Sequence, residues 1–305
     1  MNLEEVILFK EEKNIDIPEL EDNEKNSIKL FIEITRHIQE IEQLFCIFQI
    51  NLKNLLYFYQ INNNDTIVRN VSFDFDEDDV LIVNTFTINF ISSGKTVKES
   101  IETFMKQYVG ESSQKYTEYI TNCLNKLYDD YFGYRLLLRM RDFSQHGHLP
   151  VTRDYNNKYA FDLEHILLTP HYNHNKTLEN EMKKIKEDIH QKYQDNARIV
   201  YTISMIEFNL CIIKTYVEFL NCVEEILNTS INDIKKLLKD KPEIIYESDD
   251  ELNGLVFFDE DDNIHAFDPK EDFSLMFQTI KNKAIILLEK EEVELEEMKK
   301  TFRFE

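Results

Sequence analysis

Residues Asn23 to Tyr59 read NEKNSIKLFIEITRHIQEIEQLFCIFQINLKNLLYFY, and their pattern decides the fold class. Ile28, Phe31, Ile34, Ile38, Ile41, Phe45, Phe48, Leu52, Leu55 and Tyr59 recur at intervals of three and four. At about 3.6 residues per turn, that spacing gathers them on one side of a single long helix. Ile32, Leu44 and Leu56 widen the apolar face. The NNND cluster from Asn62 to Asp65 stops the helix. A face of that length must be covered by other helices, so the chain is expected to be mainly α.

The flanking sequence supports this. LEEVILF, ending near Phe9, is a short β-prone run, and Thr66 to Phe75 alternate as a strand does. Asp76 to Thr96 carry two signals. Their β-branched content suits a strand, but the spacing of Val80, Val83, Phe86 and Phe90 behind an Asp-rich start favours a helix capped near Asp78. Ser92 to Gly94 are expected to break or kink it, and a further helix to end at Gly110. Ser112 or Ser113 is placed to cap the next helix. Asp129 to His146 reads as one helical stretch, stopped by Gly147 and Pro150. A strand is expected within Tyr159 to Leu168, followed by long helices over Thr177 to Gln194 and Arg198 to Leu227. The second is expected to end near Asn228 to Ser230, with a short helix continuing to Lys239. Beyond Pro242 come two or three short strands and a final acidic helix from about Glu271 to Lys300.

The chain holds 35 Lys and Arg against 58 Asp and Glu, a net charge of −23 over 305 residues. A mean field of that sign repels phosphate and argues against indiscriminate coating of nucleic acid or anionic membrane. Hydrophobic residues at 42% are too many for a disordered chain, and 5 Gly are too few for glycine-cradle nucleotide binding. The first residues lack a basic segment, and no apolar run reaches the roughly 20 residues of a membrane span, so no membrane association is expected. Cys46, Cys123, Cys211 and Cys222 form no C-x-x-C pair and sit in apolar helical contexts. A soluble cytoplasmic protein with reduced cysteines is expected.

One window departs from the acidic background. Tyr128 to Pro150 read YDDYFGYRLLLRMRDFSQHGHLP. From Arg135 to Lys158 there are five cations, Arg135, Arg139, Arg141, Arg153 and Lys158, against two carboxylates, Asp142 and Asp154. A locally positive segment in so acidic a chain is a candidate anion site. Arginine clamps a phosphate through paired hydrogen bonds and stabilises charge building on its oxygens. Imidazole exchanges protons near neutrality. Asp142, one turn before His146, is placed to orient the imidazole or an arginine. Together these groups suit attack of a ribose 2′-hydroxyl on its own phosphate, a reaction that needs no metal. Cations also suit a helix C-terminus through the dipole alone.

RDFSQH, Arg141 to His146, resembles the R-x4-6-H motif of the HEPN superfamily, helical domains of prokaryotic toxins and phage-defence ribonucleases. The residue after the arginine is commonly Asn, His or Asp in that family and is Asp142 here. The aromatic YDDYFGYR before the motif and HGHLPV after it also resemble HEPN-like bacterial proteins. The resemblance implies a helical bundle that dimerises so that two motifs form one cleft, cutting RNA without metal or other cofactor. It implies Arg141 and His146 as the catalytic pair and Asp142 as polar helper. Arg139 also falls within the allowed spacing, so the leading arginine stays open. Arg135, Arg139 and His148 are expected to bind RNA phosphate. The fold expected is thus a HEPN-like bundle with small β decorations at the N-terminus, middle and C-terminal region. Residues 1–240 would form the helical core, and 241–305 short strands and an acidic helix packed on it. RNA substrate, a homodimer and a regulatory protein partner complete the expectation.

Other groupings carry less. His171 and His174, with His165 and Glu164 nearby, invite a metal reading, but Pro170 opposes the helix that would align them, and no metal is expected. Ser248 to Asp262 lack the D-x-D-x-D-G order of a calcium loop and suit a solvated hairpin. The acidic tail supports a second functional class, a non-catalytic helical scaffold or antitoxin-like protein that binds a basic partner.

Overall fold

A computed structural model of the chain describes residues 20–63, 79–153, 159–161, 197–240, 245–247, 253–258, 264–267 and 273–302, with isolated positions between 166 and 187. The described fold is mainly α. Its helices are α1 (Asp22–Asn63), α2 (Asp79–Phe104), α3 (Gln114–Glu118), α4 (Lys126–Asp130), α5 (Phe132–Gln145), α6 (Ala197–Asp240) and α7 (Phe273–Phe302). Two π-helical segments, Met105–Gly110 and Tyr119–Asn125, adjoin α2 and α3. The expected strands ending near Phe9 and over Thr66 to Phe75 lie outside the described residues, as do His165, His171 and His174. The stretch Thr177 to Gln194 lies outside them too, apart from isolated positions. No described helix is long and apolar enough to cross a membrane.

The chain divides into two compact units. One comprises Met1–Glu40 and Leu220–Lys283. In it Ile28, Phe31, Ile34, Ile38, Val223, Leu227, Phe277 and Ile280 are buried. Glu224 accepts hydrogen bonds from Gln278 at 2.6 Å and Lys281 at 2.7 Å. These two bonds hold its carboxyl below the usual carboxylate range. Strands β3 (Ile245–Glu247), β4 (Asn253–Phe258) and β5 (Ile264–Phe267) form an antiparallel meander in that order, with Leu255 paired to both Ile245 and Phe267.

The other unit, Ile41–Phe219 with Ala284–Glu305, holds the motif. Its core is a cluster of aromatic rings. Phe48 of α1 stacks on Phe90 of α2 with centroids 5.0 Å apart. Phe208 of α6 meets Phe90 edge-on at 5.4 Å, and Tyr134 of α5 lies 5.8 Å from Phe208. Offset and edge-on pairs of this kind add to the burial of the rings themselves. Gly94, in the stretch expected to break or kink α2, is helical, and α2 runs through it without a break. A β-carbon there would lie 2.5 Å from the Phe208 ring, so the glycine serves close approach of an aromatic side chain, not a turn. The helix that ends at Gly110 does so with φ of 91°, the left-handed conformation that favours glycine. Ser113 Oγ accepts from the Tyr116 N–H at 3.1 Å and caps α3 as its sequence position indicates.

Two further expectations are corrected. The stretch Asp129 to His146 is not one helix, because Tyr131 is extended at φ −117° and ψ 101° and separates α4 from α5. Nor does α6 stop at Asn228 to Ser230. Leu227, Ser230, Ile234 and Leu237 are all buried at helical spacing, and the Thr229 hydroxyl bonds the Glu225 carbonyl at 2.9 Å, so the polar stretch is satisfied within a continuous helix.

Gly133 lies where α5 crosses α6. A β-carbon at Gly133 would lie 2.6 Å from the Ser204 Cα, a backbone atom that cannot swing aside. Alanine is the better helix former by roughly 1 kcal/mol. Backbone overlap nevertheless outweighs that preference, and Gly133→Ala is expected to destabilise the protein by about 1–3 kcal/mol in urea unfolding.

Candidate functional site

The candidate site is the C-terminal end of α5 and the turn that follows. α5 is buried along most of its first two turns, from Phe132 to Leu137, so its free N–H groups need partners inside the protein. Its N-cap residue, Tyr131, supplies no side-chain cap. The carboxylate of Glu207, 3% exposed on α6, accepts the Gly133 N–H at 2.9 Å instead, placing negative charge at the positive end of the helix. Arg135 completes this anchor. It is 7% exposed, and its Nη1 donates to the carbonyls of Tyr128 at 2.7 Å and Asp129 at 2.6 Å, near the end of α4. Arg135 was expected among the phosphate-binding groups. Its burial and its two carbonyl acceptors make it a tie between α4 and α5.

At the other end His146 caps α5 and is exposed. Its N–H bonds the Phe143 carbonyl at 3.2 Å, and the Gly147 N–H bonds Ser144 at 3.0 Å, with Gly147 at φ +86°. The chain thereby turns back over the helix end. His148 lies against it, its ring stacked on Phe143 with centroids 4.7 Å apart. Pro150 and Val151 are buried, and β1 (Val151–Arg153) pairs antiparallel with β2 (Tyr159–Phe161).

α2 holds this turn in place. Asn84, fully buried, accepts the Val151 N–H at 2.9 Å and donates to the Val151 carbonyl at 2.8 Å. The amide thus acts as a strand partner for one residue of β1. Three turns further along α2, Lys95 donates to Asp142 Oδ1 at 2.8 Å. Asn84 and Lys95 are eleven residues apart and share one helix face to within about 20°. One face of α2 therefore grips the chain on both sides of His146.

Asp142 is engaged with cations. Beyond Lys95, its carboxylate lies 3.9 Å from Arg139 Nη1 and 3.7 Å from Arg141 Nη1. Arg139 Nη2 donates to the Tyr128 hydroxyl at 3.1 Å, and Arg141 Nη1 donates to Gln145 at 2.5 Å. By the helical period, Arg139, Asp142 and His146 fall within an arc of about 60°, whereas Arg141 lies about 140° from His146. Arg139 is therefore the arginine aligned with the histidine. Lys95 was missed in the sequence because its partner lies 47 positions away. The available signal was a pair of lysines, Lys95 and Lys98, the two cations of α2.

No protein-family model, no curated protein and no solved structure matches the chain.

Asn84→Ala removes both bonds to Val151 and leaves that buried backbone unpaired. The expected cost is roughly 2 kcal/mol or more of stability, with accelerated hydrogen exchange at the Val151 amide.

Proposed function

We propose that this protein is a metal-independent endoribonuclease of HEPN type, its site composed of two copies of the chain. The observation that carries the reading is the alignment of an exposed His146 with Arg139 and Asp142 at the end of α5, inside a positive window of an acidic protein. In the reaction the 2′-hydroxyl attacks the adjacent phosphorus, the 5′-oxygen leaves, and a 2′,3′-cyclic phosphate forms. His146 of one copy takes the 2′-hydroxyl proton, and His146 of the second copy gives a proton to the leaving oxygen. Arg139 clamps the phosphate and stabilises its transition-state charge, with Arg141 beside it. A role in phage defence or as a toxin follows from the family resemblance of RDFSQH.

The scaffold reading keeps one observation on its side. Glu289, Glu294, Glu296 and Glu297 are exposed on α7, while Glu292 is paired with Lys214 at 2.8 Å, and the exposed carboxylates suit a basic protein partner. That reading expects normal growth on overexpression.

RNA cleavage in EDTA separates the two. His146→Ala is expected to lower the rate by roughly 100-fold or more. Arg139→Ala is expected to cost more activity than Arg141→Ala. Equal cleavage by wild type and His146→Ala, or growth arrest that does not depend on His146, removes the ribonuclease reading.

A further inference from the structure

The outer face of α1 is apolar in a strongly charged chain. From Gln43 to the end of the helix at Asn63 the sequence holds one charged residue, Lys53, although 30% of the chain is charged. The inner face is buried through Phe45, Phe48, Leu52 and Leu55. Roughly opposite it on the helix, Ile47, Ile50 and Tyr57 are 50%, 54% and 65% exposed. A helix that is apolar on both sides is ordinarily covered on both. The exposed residues also follow a heptad. Ile47, Ile50, Asn54 and Tyr57 are spaced by three, four and three and lie within an arc of about 80°. They occupy successive a and d positions, with Gln43 at the d position before them. All belong to the unit that holds the motif.

From this seam we infer that the outer face of α1 docks a second copy of the chain, as a parallel, in-register helix pair in which Asn54 faces its own counterpart. Charge selects the occupant. At −23 each, two copies repel one another over most approaches. No carboxylate follows Glu42 in α1, so this seam brings like to like without burying a negative charge. A basic partner finds no carboxylate there to pair with. Asn54 selects the arrangement. Its amide carries both donor and acceptor, so two copies related by a two-fold axis bond each other through the same side chain. A single asparagine at an a position specifies register and oligomeric state in helix pairs. Two heptads are fewer than an isolated coiled coil needs, but α1 is already held by its inner face, and pairing carries no cost of forming the helix. A contact this short makes a weak, concentration-dependent dimer. The inference stands on α1 alone and does not rest on the ribonuclease reading.

The test is sedimentation velocity of the full chain from about 1 to 100 µM, with a thermal melt of each variant to confirm folding. The wild type is expected to pass from monomer to dimer over that range. Ile50→Asp, at an exposed position, sets two like charges in the seam and is expected to weaken the dimer by roughly 100-fold or more. In a Cys46→Ser background, Asn54→Cys is expected to form a disulfide between copies under mild oxidation. Leu56→Cys, also exposed but about 160° round the helix from Asn54, is expected to form none. A wild type that stays monomeric throughout, which would give the seam to an unlike partner, overturns the inference. So does a dimer that Ile50→Asp leaves intact, or a cross-link no stronger at Asn54→Cys than at Leu56→Cys. RNA cleavage is read separately. A cleavage rate that survives loss of the dimer removes the two-copy site of the ribonuclease reading and keeps the seam.

Discussion

A short helix buried along half its length must have both ends tied by other parts of the chain, and α5 meets that constraint with side chains brought from far away in sequence. At its N-terminal end the carboxylate of Glu207 takes the Gly133 N–H inside the core, and Arg135 ties α5 to the last carbonyls before the Tyr131 break. At its C-terminal end Asn84 and Lys95, on one face of α2, hold Val151 and Asp142. Unsatisfied N–H and C=O groups at a buried helix end are costly, and the Glu207 and Arg135 bonds reduce that cost where α4 meets α5. The bonds at both ends also fix where His146 stands. The exposed histidine sits between two anchored points, so its position is set by the scaffold and not by a free loop.

The anchors differ in kind. Glu207 and Asn84 are fully desolvated and bonded, and replacing either leaves a buried polar backbone group alone. Lys95 and Asp142 are partly exposed and joined by a charge-assisted hydrogen bond of 2.8 Å. The fully buried bonds therefore secure the helix ends, and the partly exposed ion pair lies nearer the surface.

Much of the architecture was legible in local sequence. The three-four periodicity of α1, Ser113 as a cap, and Gly147 with Pro150 as a stop each act through neighbouring residues, and the structure contains all of them. What was not legible depends on contacts distant in the chain. Gly94 looks like a breaker until Phe208 is placed against it. The Tyr131 break follows no proline or glycine and is secured by Glu207 and Arg135. Asn228 to Ser230 look like a helix end until Leu227, Ile234 and Leu237 are seen to continue one buried face. The same holds for the candidate site. The window Tyr128 to Pro150 contains Arg139, Asp142 and His146, but the lysine that completes the cluster belongs to α2. Arg135 drew attention by its charge, and its burial made it an anchor.

The opposition between global and local charge acquires a structural basis here. The net charge of −23 sets a repulsive mean field, while three cations converge around Asp142. The central claim, that this end of α5 meets a phosphodiester, is tested most directly by side-chain NMR of the arginine Nε–H and histidine ring signals during titration with a deoxyoligonucleotide. The account predicts that the Arg139, Arg141 and His146 signals shift together and saturate with a single affinity. Shifts confined to other residues, or unchanged signals at nucleotide concentrations that saturate binding elsewhere, would contradict it.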